Sequence, residues 1–437
     1  MSLFFVLFTM NWIFYACHAA PTGQCKATRN TAISYSGFQI WTITPHSKSE
    51  QMTLFEIIKN YKLEIWKKSK DIDEPVDIMV PPRHQKEIKQ KLKEAKIPYE
   101  IEILDLQKAI NNENPIVNVS SASNRNAAYD LSWTHYHRLN EIYDYLSYLA
   151  DTYPCLVQLI NIGTSYEGRP LYVVHISNST SAHTPAIWID GTFHAREWIS
   201  PAVVTYIIHQ LVEEPANLKL LQNVDWYIMP VVNPDGYEYS HVRNRLWRKT
   251  RSPTGLDSPK CQGVDANRNF EFKIIDCVNV LKWGASGSSS NPCSQVYKGP
   301  KAFSEPETLA YANFISSISY KLKLYLTLHS SGQKILLPWG YDRVLPHNFD
   351  DMLDLAQKAA CKFKTFNYKV GNKVDILYRA SGNSADWAKS IGIEYVYSVE
   401  LPIRGFVLPA SNILPVSQDF FRAIDVFAAK VSNLTVL

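Results

Sequence analysis

Two hydrophobic patterns divide the chain. From about residue 126 to the C-terminus, short apolar runs recur without strict alternation. They are Val157 to Ile162, Leu171 to Ile176, Ala186 to Asp190, Trp226 to Val232, Lys323 to Leu328 and Tyr395 to Val399. Runs of this kind predict strands buried on both faces, as in an α/β sheet covered by helices. Helical spacing appears between and after them. Ser200-Pro201 predicts a helix start with Ser as N-cap and Pro at the first position. Ser304-Glu-Pro-Glu307 has the spacing of a capping box, and Gln418 to Val431 carries apolar residues at helical intervals. The expected fold is a single large α/β domain with a mixed central sheet flanked by helices.

The region before it has a different texture. Leu54 to Leu63 and Gln85 to Ala95 predict helices, while Val76 to Val80 and Tyr99 to Leu106 predict strands. Together they describe a small α+β unit. The stretch NNENPIVNVSSASNRNAAYD, Asn111 to Asp130, is polar and has no hydrophobic period. Such an exposed linker is where nicking concentrates, and Arg125 offers a trypsin-like protease its cut. The first residues are apolar and end in small side chains near Ala19 and Ala20, as a secretory signal does. The boundaries read from these shifts are 1–20 for the signal, 21–110 for the small unit, 111–127 for the linker and 128–437 for the large domain.

Composition narrows the classes. The 437 residues are 46% hydrophobic and 20% charged, with a formal charge of +4, so a large core is available and no strong field calls for an acidic partner. Basic runs with interleaved aromatics are absent, which argues against nucleic acid. Beyond the signal, no apolar stretch is long enough to span a bilayer, so stable membrane association is not expected. With Cys17 in the signal, Cys25, Cys155, Cys261, Cys277, Cys293 and Cys361 remain, and the sequence alone does not pair them. Asn118, Asn178 and Asn433 stand in glycan-acceptor patterns.

Candidate chemistry gathers at strand ends. His194 and Glu197 follow the run AIWID at a spacing that puts an imidazole and a carboxylate on one side of a helical turn. The carboxyl edge of an α/β sheet is where ligands bind. His329 ends the run KLYLTL and supplies a third donor, and two His with one Glu is a set used by catalytic zinc. Glu400 ends another apolar run, where burial calls for a charge or metal partner and where a general base is well placed. Two segments rich in Arg and Asn, around Arg248 and around Asn267-Arg268, offer guanidinium groups suited to gripping carboxylates. A solvated basic face explains those segments equally well on composition alone.

The motifs HAREW, NPDGYEYS, RLWRKTRS, GVDANRNF, KAFSEPET, LHSSGQ and SGNSADW occur in this order. In them the chain resembles the zinc carboxypeptidases of the A/B subfamily in precursor form, from the small N-terminal unit to the C-terminus. The resemblance implies that His194, Glu197 and His329 bind a single zinc ion and that Glu400 is the general base. It implies that Arg248 stabilises the developing oxyanion and that Asn267 and Arg268 hold the substrate's terminal carboxylate. It further implies that Tyr378 closes over the bound residue, that Arg196 serves an outer subsite and that Cys261 pairs with Cys293. The small unit would cover the cleft until a trypsin-like protease cuts near Arg125. The expected protein is a secreted, monomeric zymogen acting on peptides with a free C-terminus.

Ala385 matches the family's specificity position. A small uncharged residue there implies aliphatic or aromatic C-terminal residues, whereas Lys373, if it points inward, favours acidic ones. Two segments depart from the family. Ile274 to Lys282 intervenes before Trp283-Gly284, and the segment after Glu400-Leu401 is shortened and lacks an Arg-Asp pair. These departures leave a second expectation open, a peptide-binding homologue with little turnover. Ser331 stands where the family commonly has Tyr, which is expected to alter subsites rather than metal binding.

Overall fold

The computed structural model describes residues 32–67, 71–115, 131–271, 287–402, 405–434 and 436. The signal, Arg125, Cys25, Cys277, Asn118 and the 274–282 insertion lie outside the described residues.

The N-terminal unit runs β1 (Gln39–Ile43), α1 (Lys48–Tyr61), β2 (Glu64–Lys67), β3 (Val76–Val80), α2 (Gln85–Glu94), β4 (Tyr99–Ile103) and α3 (Leu106–Glu113). Its four strands form an antiparallel sheet in the order β2-β3-β1-β4. Trp41, Ile43, Ile78 and Val80 pack there against Leu54 and Ile57 of α1 and Ile88 and Leu92 of α2. Ser47 caps α1 by accepting from Glu50 N, while Glu50 Oε2 accepts from His46 N. The sequence reading found both central helices and two of the strands. It missed β1 and β2, and it ended the unit at 110, whereas α3 continues to Glu113. Asp105 caps α3 by accepting from Lys108 N at 3.1 Å. At its other end the Glu113 carboxylate is buried against Arg245, with both of its oxygens 2.6 Å from guanidinium nitrogens. The Asn-rich sequence thus forms a helical turn because tertiary pairing overrides its loop-like composition.

The large domain runs α4 (Leu139–Thr152), β5 (Val157–Thr164), β6 (Pro170–Ile176), β7 (Ala186–Gly191), α5 (Ile199–Val212), β8 (Asp225–Met229), α6 (Pro234–Val242), α7 (Pro306–Ile318), β9 (Leu322–Ser330), β10 (Lys334–Leu337), α8 (Phe349–Ala360), β11 (Lys369–Asn372), α9 (Lys373–Ile376), α10 (Ser384–Ser390), β12 (Tyr395–Leu401) and α11 (Ile413–Ser432). Eight strands form one mixed sheet in the order β11-β10-β12-β9-β7-β8-β6-β5. The central β12-β9-β7-β8 group is parallel, and antiparallel pairs flank it. All six expected strands are present. Residues of β7, β8 and β9 are buried on both faces, as their unbroken apolar runs require. The long helix α11 lays Val416, Phe420, Ile424, Phe427 and Val431 on the core.

Two helix starts differ from expectation. α5 begins at Ile199 with Trp198 as N-cap, so Ser200 lies inside the helix. Its Oγ accepts from Thr192 N at 3.1 Å and donates to Leu328 O at 2.7 Å, tying the β7–α5 turn to β9. α7 has Glu305 as N-cap rather than Ser304, with no side-chain capping bond. The Glu305 carboxylate instead accepts from the Thr250 and Ser252 hydroxyls. Among the described residues, no helix is long and apolar enough to cross a membrane.

Candidate metal centre and substrate cleft

Topology brings the candidate ligands together. β7, β9 and β12 are adjacent parallel strands, so their carboxyl ends share one sheet edge. The turn after β7 carries His194 and Glu197, β9 ends at His329, and Glu400 stands opposite His329 in the ladder register. Thr192 enters the turn with φ of 62° and donates its hydroxyl to Pro230 O, which fixes the turn on the sheet.

The three donors form the metal cluster found among the described residues, with ligand atoms within 4.8 Å of one another. His194 Nδ1 lies 2.8 Å from Glu197 Oε1, and His329 Nδ1 lies 3.1 Å from Glu197 Oε2 and 3.2 Å from His194 Nδ1. Two imidazole nitrogens that close need a proton or a metal ion between their lone pairs. Tetrahedral zinc with bonds of ~2.0–2.1 Å needs donors roughly 3.3 Å apart, so the set fits that ion. On the far side of the His194 ring, Nε2 lies 3.1 Å from Asp265 Oδ1. A carboxylate there keeps the proton on Nε2 and leaves Nδ1 free for metal. Burial opposes ionisation of Glu197, but the two imidazoles outweigh it and hold the carboxyl well below its usual range. Burial lowers His329 to about 4, which keeps its ring neutral and ready to ligate.

Sequence reasoning missed Asp265. It lies in GVDANRNF, among residues that read as a solvated polar face, and its partners are remote in the chain. Besides His194, it accepts from Arg248 Nε at 3.1 Å and Nη2 at 2.8 Å. One buried carboxylate therefore orients both a metal ligand and the candidate oxyanion donor. The only available signal was an acid flanked by the Arg-Asn cluster.

Glu400 lines the same cleft as the three ligands, Arg248, Asn267, Arg268, Lys373 and Tyr378, so the shortened segment after it leaves its strand position intact. Burial, aided by the neighbouring Glu197 charge, pushes the Glu400 carboxyl up to about 7, while Lys334 and Lys373 pull the other way. Asn267 spans two neighbours, with Nδ2 2.9 Å from His329 Nε2 and Oδ1 accepting from Ser384 N. Arg268 donates from Nε to Gly287 O and from Nη1 to Asn267 O, which aims the group along the cleft wall. Ala385 is buried in the first turn of α10 and is absent from the cleft lining. Cys261 and Cys293 form a disulfide, and Cys155 and Cys361 are free and exposed.

The N-terminal unit covers the cleft. Trp66 and Lys67 line it, and the Trp66 ring meets Phe406 edge-on at 5.2 Å. Arg196 stacks over Phe406 at 3.7 Å and pairs with Glu64 of β2. Arg196 is thus held by the N-terminal unit and is absent from the cleft lining. Tyr35 Oη donates to Asn244 Oδ1 at 2.7 Å, and the Glu113–Arg245 pair closes the far side, where Leu408 N and Phe406 O join it.

Comparison with known proteins agrees with this geometry. A zinc carboxypeptidase family model matches residues 142–423, and a carboxypeptidase activation peptide model matches residues 41–113. Mouse (Mus musculus) carboxypeptidase A6 is 35% identical over 92% of this chain and 91% of its own length. Carboxypeptidase B of Helicoverpa zea is 34% identical over 92% and 95%. Among solved structures, thrombin activatable fibrinolysis inhibitor superposes with a TM-score of 0.80 at 32% identity, covering 91% of this chain and 99% of that one. Carboxypeptidase A from Helicoverpa armigera gives 0.81 at 28% identity, covering 91% and 98%.

Proposed function

Because the chain belongs to the zinc carboxypeptidase family and carries the family's activation peptide, we propose that it is a secreted, monomeric zymogen whose cleaved form removes non-basic C-terminal residues from peptides. It is a metallocarboxypeptidase. In this reading residues 1–20 are a signal, the activation segment runs to Glu113, the linker is cut after Arg125 by a trypsin-like protease, and catalysis resides in 128–437.

The observation that carries the reading is the buried two-His, one-Glu set at the sheet edge, in one cleft with Glu400, Arg248 and Arg268. His194, Glu197 and His329 would hold the zinc ion, which would supply Lewis acidity and an activated water near neutral pH. The residues around it divide the remaining tasks. Arg268 with Asn267 grips the free carboxylate, which makes the enzyme an exopeptidase. Glu400, poised at about 7, takes a proton from the attacking water and returns it to the leaving amine. Arg248 donates toward oxygen charge that appears only in the transition state, the contact that raises rate. Tyr378 borders the cleft and closes over the bound residue. Arg196, released from Glu64 when the activation segment leaves, serves an outer subsite.

Ala385 offers no counter-charge to Lys or Arg, so on that residue alone aliphatic and aromatic side chains are admitted and basic ones are not. The test is trimming of N-blocked dipeptides by trypsin-treated protein, abolished by a chelator and restored by zinc. Faster release of Lys or Arg than of any uncharged or acidic residue overturns the specificity. Activity indifferent to chelation overturns the mechanism.

A further inference from the structure

The cleft holds more positive charge than one terminal carboxylate requires. Arg248 is matched by Asp265, and Arg268 is fixed by backbone carbonyls at the carboxylate-binding end. Lys373, at the start of α9, adds another cation. It is buried, it lines the cleft, and among the described residues its ammonium has no hydrogen bond or ion pair. Burial disfavours its charge most, and of the acids around it Asp386 supports that charge most strongly. That carboxylate accepts from Gly340 N at 2.8 and 3.0 Å and Tyr341 N at 3.0 Å, so its oxygens are directed to the backbone rather than to the ammonium. Lys373 therefore sits in the field of Asp386, Glu400 and Asp265, with Arg268 opposing, and among the described residues it hydrogen-bonds to none of them.

Its position is built rather than incidental. Asn372 caps α9 by accepting from Val374 N and donates to Pro338 O, which fixes the backbone that presents Lys373. The lysine stem runs over Gly340. A Cβ at that glycine would sit 2.8 Å from Lys373 Cδ and 3.2 Å from Asn383 Nδ2, so any larger residue there would displace the lysine stem. Asn383 in turn caps α10, the helix that carries Ala385. Gly340 thus lies between the lysine stem and the residue that caps the Ala385 helix.

Resting on the carboxypeptidase reading above, we propose that Lys373 makes the cleft select peptides ending in glutamate or aspartate, so that acidic residues outrank the aliphatic and aromatic ones expected from Ala385 alone. An acidic C-terminal residue brings two carboxylates, one for Arg268 and one for Lys373. Ala385 leaves room for the second. An apolar side chain in the same place would exclude water from the ammonium and give it no partner, which is costly. A basic one would meet like charge. Selection then works by attraction and by exclusion together. Burial lowers Lys373 to about 8, so it remains mostly protonated near neutral pH, and an incoming carboxylate strengthens that state.

The experiment uses the full chain activated by limited trypsin digestion, with N-blocked dipeptides ending in Glu, Asp, Leu, Phe and Lys. The expected result is a kcat/KM for Glu or Asp at least about tenfold above that for Leu or Phe. Lys373→Met should lower the Glu-to-Leu ratio by about tenfold or more, and Lys373→Arg should keep the acidic preference. Wild-type protein that favours Leu or Phe overturns the proposal, as does a Lys373→Met variant that slows every substrate equally. If Lys373→Met does not fold, the wild-type panel and Lys373→Arg decide the matter. If no dipeptide is trimmed and chelation changes nothing, the carboxypeptidase reading itself fails. That outcome is distinct from a wrong order of substrates.

Discussion

The two walls of the cleft are made in different ways. One wall, with His194, Glu197, His329 and Glu400, hangs from the carboxyl ends of three neighbouring parallel strands whose residues are buried on both faces. Its geometry follows from ladder register, as the His329–Glu400 pairing shows. The other wall, with Asn267, Arg268, Lys373 and Tyr378, comes from loops and helices of a turn or two. It is held by close backbone approaches. Gly382, at φ of 73°, passes so near Arg268 that a Cβ would stand 2.3 Å from its carbonyl oxygen. In the proposed reading the strand wall carries the reaction and the loop wall carries the selection of substrate. A change at Lys373 on the loop wall should alter specificity without moving the metal ligands, whereas Asn267 touches His329 and joins the two walls.

The largest expected effect breaks the strand wall. His329→Ala removes one of three metal donors. It should lose bound zinc and reduce trimming to background, checked by metal analysis of the purified protein beside the peptide assay. Glu400→Gln keeps the donors and removes the base. It should retain zinc and lose about 10²–10⁴-fold in kcat. Equal zinc loss in both variants would mean that Glu400 belongs to the ligand set. Asp265→Asn tests the joint between the walls, because Asp265 orients His194 from one side and Arg248 from the other. A fall of about 10–100-fold in metal affinity or activity is expected. A loss confined to kcat with full affinity for zinc would show that the Arg248 contact matters more than the His194 one.

The same contrast explains what was legible in the sequence. Six strands and every residue on the strand wall were readable, because unbroken apolar runs mark both-face burial and the polar residue that ends each run marks the sheet edge. The loop wall carried no such period, and its residues were recognisable only through the ordered motifs of the resemblance. β10 and β11 are four residues each and sit among Gly, Lys and Asn, too short to show a pattern. In the N-terminal unit, α3 hid in an Asn-rich stretch, since its end is secured by the Glu113–Arg245 pair, a contact 132 residues apart in the chain. Asp265 escaped notice for the same physical reason. Buried ion pairs join distant segments, and the local sequence around each partner looks like ordinary surface. Ser200 was read as a cap because Ser-Pro so often opens a helix, whereas its hydroxyl is used to tie the β7–α5 turn to β9.

The smallest expected effect concerns a carboxylate outside both walls, and it separates stability from catalysis. Glu307 lies in the first turn of α7, fully buried, with one oxygen accepting from Tyr166 N and the other without a partner. Burial pushes its carboxyl up from 4.5 to about 8. The folded state therefore binds this proton more tightly than the unfolded chain does. Its contribution to stability is fully present below about pH 4.5 and is lost as pH rises through about 8. Glu307→Gln keeps the acceptor for Tyr166 N and carries no charge at any pH. The variant should melt higher than wild type at about pH 8–9, by an amount on the order of a few kcal/mol at most, and should show no such gain near pH 5. Its substrate order and zinc content should match wild type, since Glu307 is absent from the cleft lining. Melting curves of the two proteins that stay parallel from pH 5 to 9 would mean that water or a local shift already answers the second oxygen.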